Sequence, residues 1–366
     1  MKLLTLPLLL SFSLLFFSLS FASPPPGYSL VWSDEFNGPL LDTINNWSFD
    51  TVNKDMGSSI HFFTKHNLTI ENGAAALWTR NHDTVTWLGM TRHYTGCQMT
   101  TQCKKEFKYG YIEARLKSPE GDGVWTMFWT LGSGFPLIFQ LCPWIDTLFW
   151  PACGELSLFG AVPGSHGSFR GLGDSAFEAY CFFANAQGGA SYHSAKHHYT
   201  ESLGMQYHLY ALEWDSTRVQ YYFDNEKFWE YDSINESYNF AAFHRPHYLI
   251  ASIQPGGTYQ GMYIDNAIFP LAMYLDYVRV YQKSTQARPG RKGYVLPDRF
   301  FIDGPSRGRL MIYDLRGRLV VDLSRRVMAG ENVRKIISTS LPAGVYVVKF
   351  SDGIKMVSER YVKPGY

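Results

Sequence analysis

The chain of 366 residues has few cysteines and almost no net charge. Five cysteines are too few for a disulfide-stabilised scaffold, and 33 basic against 32 acidic residues lack the positive excess of nucleic-acid-binding proteins. No stretch of about 12 residues shows a convincing amphipathic helix. With 46% hydrophobic residues the chain is too apolar for a disordered protein. We therefore expect a globular protein with little helix and no nucleic-acid partner.

Aromatic residues are abundant, at 16% of the chain, and they occur in short segments of β type. These segments alternate in polarity or are rich in aromatic and β-branched residues, and Gly, Pro, Asn and Asp bound them. They are Tyr109–Lys117, Tyr207–Trp214, Val219–Phe223 and Met273–Tyr281. Asp224-Asn225 is typical of a hairpin turn. The pattern predicts an all-β sandwich of the jelly-roll type.

Long hydrophobic runs are absent except at the start, where Leu3–Phe21 follows Met1-Lys2 and ends in Ser20-Phe21-Ala22. This arrangement predicts a signal peptide over residues 1–22 and a secreted or cell-surface protein. An uncleaved membrane anchor is the alternative, because the run is close to spanning length. Export permits disulfides, and one pair such as Cys97 with Cys103 could form.

Charge divides the remaining chain in two. From residue 284 to the end there are 16 basic and 7 acidic residues, net +9, whereas residues 23–283 carry 16 and 25, net −9. A stretch rich in Gly, Pro and polar residues lies between the two parts. We predict a main domain over 23–283, a linker over 284–297 and a small β-sandwich domain over 298–366.

Five stretches of the main domain, in this order along the chain, resemble one enzyme family. They are Val31-Trp-Ser-Asp-Glu-Phe-Asn-Gly38, Phe107 to Arg115, Trp150-Pro-Ala-Cys-Gly-Glu155, Tyr210-Ala-Leu-Glu-Trp214 and Met273 to Tyr281. They are similar to family 16 of the glycoside hydrolases, the laminarinase-like and lichenase-like β-glucanases, over residues 28–283. The resemblance implies a concanavalin-like β-jelly roll whose concave face binds β-1,3- or β-1,3-1,4-glucan and hydrolyses its O-glycosyl bonds with retention.

Retaining hydrolysis uses two carboxylates about 5–5.5 Å apart. In the family the two carboxylates are the first and last residues of the motif Glu-x-Asp-x-x-Glu, or of Glu-x-Asp-x-Glu when the strand has no bulge. Glu155 stands at the nucleophile position here, Ser157 replaces the helper Asp, and Phe159 or Gly160 replaces the acid/base Glu, depending on the bulge. Catalysis is therefore predicted to be impaired, and Ser157→Asp together with Gly160→Glu is predicted to raise turnover. The alternative is an inactive β-glucan-binding pseudoenzyme.

Other polar positions of the family's cleft are changed as well. By the resemblance, its Arg falls at Gln98, its His at Arg170 and its Asn at Ser252. Aromatic rings that would stack on sugars remain, and we expect substrate binding at Trp125, Trp129, Trp150 and Tyr259, with core packing as the alternative for each. The scaffold motifs are thus intact, while polar positions of the cleft that the resemblance implies are changed.

Remaining acidic and histidine residues give weaker indications. Asp122, Asp174 and Glu178 are interpreted as surface charges, and His193, His197 and His198 as a polar loop. Glu35 and Asp276 resemble positions where family members hold a structural calcium ion. No cofactor is expected to be required, and calcium is a weak candidate.

The C-terminal part has its own signature. Gly308 to Val321 and Leu341-Pro-Ala-Gly-Val-Tyr-Val-Val-Lys-Phe350 show short alternating strands with Gly turns. They resemble the C-terminal sorting domains of bacterial proteins exported by the type IX route. The resemblance implies the bacterial secretion machinery as a partner, beside β-glucan as the ligand, and the protein is expected to be a monomer.

Overall fold

The computed structural model describes residues 24–50, 60–85, 89, 91–135, 148–164, 173–233, 240–256, 263–283, 309–314, 318–325, 341–342, 344–351 and 356–363. The predicted signal peptide (1–22), the predicted linker (284–297), Tyr259 and Arg170 lie outside these residues. The chain divides into two compact units, Met1–Ser284 and Thr285–Tyr366. Each unit is described by itself below.

The regular secondary structure in the described part of the first unit consists almost entirely of β-strands. They are β1 (Tyr28–Asp34), β2 (Ser48–Phe49), β3 (His61–Phe63), β4 (Leu68–Glu71), β5 (Ala74–Val85), β6 (Thr91–Thr100), β7 (Gly110–Lys117), β8 (Val124–Gly132), β9 (Glu155–Ala161), β10 (Ala176–Ala184), β11 (Ala190–His198), β12 (His208–Trp214), β13 (Arg218–Phe223), β14 (Glu226–Asp232), β15 (His247–Pro255) and β16 (Leu271–Lys283). Short 3-10 turns span Lys65–Asn67, Phe240–Phe243 and Asn266–Ile268. The predicted segments 109–117, 207–214, 219–223 and 273–281 lie in strands, except that Tyr109 and Tyr207 come immediately before β7 and β12.

These strands form a jelly-roll sandwich, which confirms the predicted fold class. The first sheet has the order β11-β10-β9-β8-β15-β6, and the second has the order β5-β16-β7-β12-β13-β14. Pairing of β5 with β6 joins the two sheets, and β1 extends the second sheet beside β16. At the hairpin between β13 and β14, Asp224 and Asn225 have φ values of 46° and 73°, which is the left-handed backbone that such turns need.

Alternation along the strands divides the first sheet into two faces. Side chains such as Phe128, Phe159 and Phe177 point inward and are fully buried in the core between the sheets. Their neighbours in sequence point to the opposite side, because successive side chains of a strand alternate. We call this outward side of the first sheet the site face. Residues that directly oppose one another on neighbouring strands share it.

The interpretation of the three histidines and the suggested pairing of Cys97 were wrong. The histidines lie in strand β11 rather than in a loop, and the rings of His193 and His197 pack on Tyr231 and Phe223 at centroid distances of 4.8 and 4.7 Å. Cys97 is a free thiol, fully buried in the core, because its side chain points between the sheets. It therefore does not pair with Cys103, which is itself disulfide-bonded.

The second unit contains a four-stranded antiparallel sheet in its described residues. Its strands are β17 (Arg309–Tyr313), β18 (Leu319–Asp322), β19 (Gly344–Ser351) and β20 (Met356–Lys363), in the order β18-β17-β19-β20. Leu310, Ile312 and Val348 are fully buried, so one face of the sheet is covered. In the described parts of both units, no helix has the length and hydrophobicity needed to cross a membrane.

Candidate functional site

Strand β9 places the predicted catalytic positions on the site face, between β8 and β10. Three rows of opposed residues cross these strands. They are Leu131, Glu155 and Phe182; Trp129, Ser157 and Tyr180; and Met127, Gly160 and Glu178. The order of the rows follows from the register and could not be read from the sequence of β9 alone.

A β-bulge decides which residue occupies the acid/base position. Where β9 pairs with β8, the register shifts between Ser157 and Phe159. Where β9 pairs with β10, the register shifts between Ser157 and Gly160. The extra residue turns Phe159 into the core, where its ring lies 4.7 Å from that of Tyr210. Gly160 therefore faces the site, and the predicted acid/base position carries no side chain.

Glu155 is buried on the site face and held at both oxygens. The indole Nε1 of Trp150 donates to Oε2 at 2.9 Å, and the Ser157 hydroxyl donates to Oε1 at 2.9 Å. Burial raises the pKa of Glu155 to about 7, since the two hydrogen bonds only partly offset the loss of water. Near neutral pH the carboxyl is therefore divided between its ionised and protonated forms.

Glu178 is not a surface charge, contrary to the expectation from the sequence. It lies in strand β10 directly opposite Gly160, and only 2% of it is exposed. Its Oε2 accepts a hydrogen bond from Tyr180 Oη at 2.7 Å, and its Oε1 accepts one from Ser194 Oγ at 2.6 Å. This arrangement buries a carboxylate beside the acid/base position, on the neighbouring strand.

The ring of Tyr180 occupies the space above Gly160. A Cβ atom added at Gly160 would lie 3.2 Å from Cε2 of Tyr180 and 3.3 Å from the backbone oxygen of Glu178. Both distances are short, so the Tyr180 ring or the backbone of Glu178 would have to give by a few tenths of an ångström to admit a side chain at residue 160. An aromatic side chain therefore crowds the predicted acid/base position.

The other changed cleft positions form part of the same face. Gln98 opposes Ser252, and Ser252 opposes Met127 on the next strand. The amide of Gln98 donates to Asp50 Oδ2 at 3.0 Å, and both residues are buried. Where the resemblance implies a cationic side chain, the site face therefore holds a neutral amide bonded to a carboxylate.

The predicted sugar-binding aromatics lie in different environments. Trp150 is 41% exposed and contacts Phe182, with ring centroids 5.7 Å apart. Trp125 is the second residue of strand β8 and lies on the site face, opposite Gln254. Trp129 is only partly buried, and it packs on a small apolar cluster of the site face whose other members are Leu131, Tyr248, Ile250, Cys153, Phe135 and Leu148. Tyr259 lies outside the described residues.

The two calcium candidates are each bound by an arginine. Arg279 donates to both oxygens of Glu35, at 2.9 and 2.8 Å, and these bonds lower the pKa of that carboxyl. Arg115 donates to Asp276 at 2.6 Å.

Asp174 accepts hydrogen bonds from the backbone N–H groups of Gly121 and Gly164 and so holds two loops. Within the described ranges, no group of three or more His, Cys, Asp or Glu residues could hold a metal ion.

Sequence reasoning missed three residues of β10 and β11 that lie beside Glu155. Phe182 opposes Glu155 directly, Tyr192 opposes Phe182, and Tyr180 covers Gly160. The available signal was the alternation of Ala176–Ala184, which places residues 178, 180 and 182 on one side of a strand. The side that they face depends on pairing with β9 and was not available from the sequence.

The chain is similar to known glycosidases and to a glucan-binding protein. The model for glycosyl hydrolases family 16 matches residues 57–137 and 174–268. The laminarinase of Flavobacterium sp. UMI-01 is 30% identical, with a TM-score of 0.57, over 69% of this chain and all of that one. Glucan endo-1,3-beta-glucosidase A1 of Niallia circulans is 27% identical over 70% of this chain and 38% of its own length. Beta-1,3-glucan-binding protein of Penaeus monodon is 24% identical over 48% of each chain. The chain thus spans less than half the length of these two curated relatives.

Proposed function

Because the chain belongs to glycosyl hydrolase family 16, we propose that it is a secreted protein that binds β-1,3- or β-1,3-1,4-glucan on the site face and hydrolyses it poorly. The observation that carries this proposal is the ring of Tyr180 above Gly160, where the second carboxyl of a retaining site would stand. Glu155 remains, hydrogen-bonded at both oxygens, and is the proposed nucleophile. No cofactor is required for this chemistry.

The proposed reaction has a first step that this site supports and a proton transfer that it does not. In its ionised form Glu155 attacks the anomeric carbon, the bond to the leaving oxygen breaks, and a glycosyl ester forms on the enzyme; water then hydrolyses the ester. The leaving oxygen needs a proton, and neither Ser157 nor Gly160 supplies a carboxyl for it. General acid catalysis contributes about 10²- to 10⁴-fold, so turnover of unactivated glucan is expected to fall by that order.

A second candidate is a protein that binds β-glucan without any hydrolysis. Two observations favour it. Burial raises the pKa of Glu155 to about 7, so part of the carboxyl is protonated and unreactive at neutral pH, and one relative is named as a beta-1,3-glucan-binding protein. Both candidates share the same ligand and the same face of the sheet. They differ in whether Glu155 still reacts.

An aryl β-glucoside oligomer with a good leaving group separates the two candidates, because its leaving oxygen needs little protonation. We expect the purified mature protein to release the aryl group, with a rate that rises with pH through about 7 as Glu155 ionises. Laminarin in a parallel assay should be bound and left nearly intact. Glu155→Gln should abolish aryl release and keep binding.

The outcomes of this assay are distinct. Binding of laminarin without aryl release would support the second candidate and exclude a reactive Glu155. Rapid cleavage of laminarin by the wild type would contradict impaired catalysis, and failure to bind any β-glucan would contradict both candidates.

Export is proposed from the sequence of residues 1–22 and 298–366, and the bacterial secretion machinery would contact the second unit.

A further inference from the structure

Four aromatic side chains lie in contact on the site face beside Glu155. Phe182 is central: its ring centroid lies 5.7 Å from that of Trp150, 5.5 Å from that of Tyr180 and 5.0 Å from that of Tyr192. The Tyr180 and Phe182 rings are close to parallel, with 25° between their planes. We call these four side chains the aromatic platform. It extends from Glu155 across β10 to β11, which ends the first sheet.

Part of the aromatic platform is exposed to solvent, and hydrogen bonds to buried carboxyl groups orient two of its rings. Trp150 and Tyr192 are 41% and 48% exposed, whereas Tyr180 is buried. Hydrogen bonds fix two of the rings: Trp150 donates to Glu155, and Tyr180 donates to Glu178. Trp150, Phe182 and Tyr192 thus present adjoining aromatic surface, and a contiguous apolar patch of this kind indicates a binding site.

We infer that Phe182 and Tyr192 extend the glucan site beyond Trp150 as a stacking subsite for pyranose rings. This inference rests on the proposed function, since it takes β-glucan as the ligand. A β-linked glucose unit presents C–H groups on its ring faces, and these groups fit the negative face of an aromatic ring. The platform is continuous with Glu155, so a chain seated on it would pass directly over the nucleophile position.

The same platform crowds the predicted acid/base position. Tyr180 stacks on Phe182 and donates a hydrogen bond through its hydroxyl to Glu178, which also accepts one from Ser194. With the ring in this position, a Cβ atom at residue 160 would lie 3.2 Å from Cε2 of Tyr180, so the ring would have to shift by a few tenths of an ångström to admit a side chain. The site face thus has an added aromatic surface where the retaining geometry has a proton donor, and it favours binding over cleavage.

Calorimetric titration of the full mature chain with laminarihexaose tests the subsite through Tyr192. Tyr192→Ala should weaken binding about tenfold, because it removes a stacked ring without opening the core. Tyr192→Phe keeps the ring and should bind within about twofold of the wild type. Tyr274→Ala is the matched control, because Tyr274 lies on β16 of the second sheet; its affinity should equal that of the wild type.

Each result decides the inference. Unchanged affinity in Tyr192→Ala, while the wild type binds, would overturn the subsite and leave the proposed function standing. Equal weakening in Tyr192→Phe would show that the hydroxyl rather than the ring carries the contact, and would also overturn stacking. A wild type that binds neither laminarihexaose nor laminarin would overturn the proposed function and this subsite with it. Circular dichroism of each variant confirms that it is folded.

Discussion

A triple variant with Ser157→Asp, Gly160→Glu and Tyr180→Ala should cleave laminarin at least about 10²-fold faster than the wild type. The first two substitutions restore the missing carboxyls on the strand that carries Glu155. The third removes the ring that would lie 3.2 Å from the new Cβ at residue 160. Release of reducing ends from laminarin measures the gain.

The double variant without Tyr180→Ala is the informative control. Contrary to the expectation from the sequence alone, it should show little gain, because the glutamate at residue 160 must compete with the Tyr180 ring and displace its hydrogen bond to Glu178. Tyr180→Ala alone should also show no gain, since it supplies no acid. If the double variant were as active as the triple, Tyr180 would not obstruct the site. If a folded, glucan-binding triple variant stayed inactive, loss of the acid would not be what limits hydrolysis.

Glu155→Gln should stabilise the protein relative to the wild type as the pH rises. The folded-state pKa of Glu155 is about 7 against an ordinary value of 4.5, so between these pH values the folded state holds a proton that the unfolded state releases. Raising the pH through this window therefore lowers the wild-type free energy of unfolding, by about 3 kcal/mol in total. Glutamine does not ionise, so the free energy of unfolding of the variant does not fall in this way. Urea unfolding of both proteins at pH 5 and pH 8 measures the difference.

Comparison between variants is needed because other buried groups titrate in the same range. Burial lowers the pKa of His61 to about 4 and of His247 to about 3, so these two residues make stability rise with pH below about 6.5. Both occur in wild type and variant, and their contributions cancel in the difference. A difference between Glu155→Gln and wild type that does not change with pH would contradict a raised pKa at Glu155.

Glu113 provides a matched control on the other sheet. Burial raises its pKa to about 7, although a hydrogen bond from Tyr281 and the charge of Arg279 act in the opposite direction. Glu113→Gln should therefore change the pH dependence of stability as Glu155→Gln does. It should leave laminarin binding and aryl release unchanged, because Glu113 lies on β7 of the second sheet. The pair separates effects of buried charge from effects at the site.

Much of the fold could be predicted because β-structure leaves local signals. Alternating stretches and turn residues predicted strands such as β7, β12 and β13 and the turn at Asp224-Asn225, and the order of five stretches indicated the jelly roll. Residues whose surroundings depend on distant strands were predicted less well. Cys97 was offered as a disulfide partner and Glu178 as a surface charge, yet core packing buries the first and cross-strand pairing buries the second.

The sequence by itself determined that Ser157 and Gly160 stand where the resemblance implies carboxyls, because residue identity is read directly from the chain. Only the tertiary structure decided that Gly160 rather than Phe159 faces the site, because a bulge shifts the register by one residue and turns Phe159 inward. It also decided that the ring of Tyr180 lies close to Gly160 and that Phe182 and Tyr192 join Trp150. These contacts join strands β9, β10 and β11 with the segment before β9, and pairing between strands is set by the packing of the whole sandwich rather than by any one segment.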